Sequence, residues 1–61
     1  MVAGGNMETQ IYLAVADMRL LQTWHLLQRT RDKHPDMAGI DTALEAIRTA
    51  RDTITNLRQS A

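Results

Sequence analysis

One stretch governs what this chain can fold into: KHPDMAGID, from Lys33 to Asp41. It contains the single proline of the 61-residue sequence, and the only other punctuation is Gly4-Gly5-Asn6 near the start. Pro35 disfavours helical backbone at His34, so a helix arriving from the N-terminal side ends near Lys33. The runs on either side lack sustained two-residue alternation and are too long for ordinary strands. Asn6 suits an N-cap, and Glu8 suits the positive end of a helix dipole. A first helix is therefore expected over about 7–33, and a second over about 42–60. The start of the second reads two ways. It can begin at Asp36, with Gly39 tolerated in its first turns. It can equally begin at Thr42, where Thr42-Ala43-Leu44-Glu45 matches a capping box. Long helices with a short connection predict an all-α fold, a two-helix antiparallel hairpin. Residues 1–6 read as a flexible lead-in, and 7–61 as the hairpin itself.

The second helix has one apolar stripe. Ala43, Ile47, Ala50, Ile54, Leu57 and Ala61 recur at alternating spacings of four and three, the heptad seam of a coiled coil. Glu45, Thr49, Asp52, Asn56 and Gln59 occupy the opposite, wet side. The first helix is apolar over a much wider arc. Met7, Ile11, Ala14, Met18, Leu21 and His25 share one stripe, and Leu13, Leu20, Trp24 and Leu27 form another about 120° away. Tyr12, Val15 and Leu26 make a third, smaller cluster. A single seam cannot cover all of this, and water is a poor neighbour for what remains. The expectation is a homodimer, two hairpins closing into a four-helix bundle. Leu13, Leu20, Trp24, Leu27, Met18, Leu21 and His25 are the candidate protein-interface residues.

Size and composition point the same way. Below roughly 70–80 residues a domain usually needs a staple, a metal, a partner or very regular packing. There is no cysteine, so neither a disulfide nor a thiolate metal site is available. Hydrophobic residues make up 44% of the chain, too many for disorder, yet Tyr12 and Trp24 are the only aromatics, so the core must be aliphatic. No run approaches the length of a membrane span, and no signal-peptide pattern opens the chain. Seven basic and seven acidic residues cancel, which removes any need for a polyanionic partner. These features fit a cytoplasmic protein without a cofactor.

Trp24 and His25 are the conspicuous pair for chemistry. Adjacent residues of a helix point about 100° apart, so the two cannot share a stripe. His25 has Gln28 and Arg29 at the positions where a helical metal pair needs its second ligand. The expectation is Trp24 in an inter-chain contact and His25 in a seam, with no metal and no catalytic residue. No glycine-rich phosphate loop is present, and the sole serine, Ser60, lies at the end of the chain. Asp17 falls between two apolar stripes, where an interhelical hydrogen bond suits it.

Two functions suit a chain with these residues. The leading one is a non-enzymatic protein–protein interaction module, acting as adaptor, regulator or small chaperone through self-association and a second protein, with Leu20, Trp24 and Leu27 as anchors. The alternative is a dimeric RNA- or DNA-binding regulator. It would use Arg29, Arg31 and Lys33 at the basic end of the first helix, with Arg48 and Arg51 from the second.

Overall fold

The computed structural model of the protein describes residues 7–60. The lead-in at 1–6, the Asn6 cap and seam residue Ala61 lie outside the described residues. Two helices make up the fold: α1, Met7–Lys33, and α2, Ile40–Ser60. They pack against each other as a hairpin. Three polar links run in opposite sequence order along the pair, which makes it antiparallel. Gln10 pairs with Arg58, Asp17 with Arg51, and Arg31 with Asp41.

The connection is two successive turns. α1 makes its last backbone bond from His34 N–H to the Thr30 carbonyl at 2.8 Å. Met37 N–H then donates to the His34 carbonyl at 3.0 Å, with Pro35 in the second position of the turn, where its fixed φ fits. Ile40 N–H donates to the Met37 carbonyl at 3.5 Å across a second turn. Gly39 sits third in that turn with φ at +86°, a conformation that carries a penalty for any residue with a Cβ. The Gly39 carbonyl accepts from Ala43 N–H at 3.0 Å, so glycine is also the residue that opens α2. The helix thus begins between the two starts that the sequence allows. The left-handed backbone at Gly39 stops a start at Asp36 from continuing, and Thr42 lies inside the helix.

Ile40 and Leu44 are the buried apolar residues of the described chain, both in the first turns of α2. Ala43, Ile47, Ala50, Arg51 and Ile54 continue that side half-buried. On α1 no residue is fully buried. Gln10, Leu13, Ala14, Asp17, Leu20, Leu21, Trp24, Leu27 and Gln28 recur at helical spacing as a half-buried side. The result is elongated, 50 × 14 × 11 Å, with a radius of gyration of 14.6 Å. A compact domain of this length has one of about 10.5 Å.

Candidate functional site

The shielded side of α1 is centred on the stripe that contains Leu13, Leu20, Trp24 and Leu27. These four belong to the seven expected protein-interface residues, and the hairpin itself half-buries them. His25, expected in a seam, is exposed. Within the chain the shielding therefore falls the other way round for the Trp24–His25 pair. The two rings still touch edge to face, with centroids 5.4 Å apart and planes at 78°. Of the other two interface candidates, Leu21 is half-buried and Met18 is 60% exposed.

What α2 leaves uncovered is the opposite side of α1. Met7, Ile11, Tyr12, Val15, Met18 and Leu26 are between 42% and 75% exposed. Met7, Ile11, Val15 and Met18 follow one another at spacings of four, four and three, and Leu26 lies two turns further along the same side. Five of these six stand outside the candidate set read from the sequence. Their signal in the sequence is the start of the first stripe, Met7 and Ile11, together with the third cluster of Tyr12, Val15 and Leu26, and its significance depends on which arc α2 takes.

One flank of the hairpin is polar. A groove of about 360 Å³ runs between the helices, lined by Leu21, Trp24, Arg48, Arg51, Asp52 and Thr55. Arg51 is held there by Asp17: Nε donates to Oδ1 at 2.9 Å and a terminal nitrogen to Oδ2 at 3.3 Å. These hydrogen bonds hold the Asp17 carboxyl below the ordinary carboxylate range, against the opposing pull of desolvation. Asp52, on the groove wall, adds a second negative charge to the surroundings of Arg51. The groove contains no histidine, cysteine or serine. One turn further along α1, the side-chain oxygen Oε1 of Gln28 is buried without a hydrogen-bond partner.

The five cations of the nucleic-acid reading are not brought together as one free set. Arg31 pairs with Asp41 at 3.3 Å and Arg51 with Asp17. Among the described residues Arg29, Lys33 and Arg48 make no ion pair, but Arg48 borders the groove while the other two lie in the last turns of α1. No group of three or more histidine, cysteine or acidic side chains that could hold a metal occurs among the described residues. Among the described residues no helix is long and apolar enough to cross a membrane. Comparison of the chain with protein-family models, with curated proteins and with solved structures finds no match.

Proposed function

We propose that this chain is a non-enzymatic helical interaction module that works by presenting the outer face of α1 to another protein surface. A second copy of the chain is the simplest such surface, and two hairpins joined through α1 make a four-helix assembly. An adaptor, regulator or small chaperone would use the same face for a second protein. The observation that carries this reading is the row Met7, Ile11, Val15, Met18 and Leu26, exposed on a helix that has no fully buried residue. Apolar area of this extent on a 6.9 kDa chain loses free energy to water at roughly 25 cal/mol per Å², and covering it recovers that amount.

Methyl NMR tests the reading at the residues concerned. On dilution through the micromolar range, the methyl resonances of Met7 and Met18 are expected to shift or broaden together. The methyl of Met37, in the connection and 45% exposed, is expected to stay in place. Dilution-independent resonances at both α1 methionines would overturn self-association through this face.

A further inference from the structure

The exposed residues of α1 also carry a direction. We propose that two copies pair through their α1 outer faces in antiparallel register about a two-fold axis between Val15 and Met18, an inference that rests on the self-association proposed above.

The first support is the spacing. Met7 and Leu26 lie equally far from the midpoint of the row, as do Ile11 and Gln22, and Val15 and Met18. An antiparallel pair centred there sets Met7 of one copy level with Leu26 of the other, and Val15 level with Met18. It leaves no apolar end overhanging. Slipping the pairing by two turns would return one Met7 or Leu26 of each copy to water. The second support is charge. Glu8 and Arg29 flank the row at its two ends, both exposed and neither ion-paired within the described hairpin. Antiparallel pairing brings Glu8 of one copy within about one turn of Arg29 of the other, twice over. Parallel pairing would set Glu8 beside Glu8 and Arg29 beside Arg29, a repulsive arrangement, and would align the helix dipoles. The third is area. Six large side chains exposed between 42% and 75% present on the order of 600 Å² per copy, near the roughly 800 Å² that each partner gives to a standard interface.

Because the chain has no cysteine, single spin labels can be placed at will. Arg19→Cys, Thr23→Cys and Asp32→Cys put them at exposed sites that leave Glu8 and Arg29 in place, with helix content by circular dichroism checking each fold. At 1.5 Å per residue and 8–10 Å between axes, antiparallel pairing predicts backbone separations of about 12 Å for position 19, about 21 Å for position 23 and about 47 Å for position 32. Pulsed dipolar spectroscopy reads the long distances, and continuous-wave line broadening the short one. Three short distances of about 10 Å would mean a parallel pair and overturn the direction while leaving self-association intact. No inter-chain dipolar signal at any position, with a monomeric mass, would overturn self-association and this inference with it. Distances that fit neither set would place the contact on another face, again overturning it.

Discussion

Asp17 and Arg51 join the helices near the middle of the hairpin through two hydrogen bonds, of 2.9 and 3.3 Å. A carboxyl held below its unfolded value contributes stability that is present above that value and lost as the pH falls through the folded one. Thermal melts taken at about pH 6 and at stepwise lower pH should therefore show an acid-induced loss below about pH 4 that Asp17→Asn lacks. Parallel acid profiles for the two proteins would remove the pair from the account. Gln28 is the second residue with a measurable consequence. Its buried, unpartnered Oε1 costs on the order of 1 kcal/mol, and Gln28→Met keeps the shape without the polar atom. The variant should unfold at higher urea concentration, with an unchanged slope, at matched protein concentration. Asp17 was legible from the sequence, because a charged residue between two apolar stripes has few other roles. Gln28 was not. Helical spacing places it on a flank but does not reveal whether a partner reaches its carboxamide.

At the scale of elements, Gly39 sets where α2 begins. A Cβ built there meets nothing within 4 Å, so the cost of Gly39→Ala is conformational alone, the penalty of φ at +86°. We expect Gly39→Ala to destabilise the hairpin by about 1 kcal/mol in chemical denaturation, and Gly39→Asn by less, since asparagine tolerates the left-handed region. Equal stability of all three would mean that the second turn is not held in this geometry. The end of α1 was readable because proline acts on the residue directly before it. The start of α2 stayed open between two signals, because the Thr42 box and the Asp36 start are both locally sound. A positive φ arises only when the whole connection closes. The same limit explains the faces of α1. Periodicity arranges its apolar residues into stripes, but choosing the stripe that meets α2 is a long-range decision. Leu13, Leu20, Trp24 and Leu27 pack toward the hairpin, which leaves Met7, Ile11, Val15, Met18 and Leu26 outside.

The described hairpin is a rod with two buried apolar residues and an apolar outer face, a poor balance for a chain that stands alone. If that face is the contact, a charge at its centre is the most disruptive change. Met18→Glu should weaken self-association by tenfold or more, since burying a methionine is worth about 1.5–3 kcal/mol, while the monomer keeps its helices. A matched change on the wet side of α2, Thr49→Glu, should leave association unaltered. Loss of association in both variants, or in neither, would locate the contact elsewhere.

Whether the hairpin pairs with a second copy is read from its mass in solution. Light scattering coupled to size exclusion, run on the unaltered chain across micromolar concentrations, addresses it most directly. Self-association through α1 predicts a mass of twice 6.9 kDa or more, falling toward one chain on dilution. A mass of one chain at every concentration would contradict it.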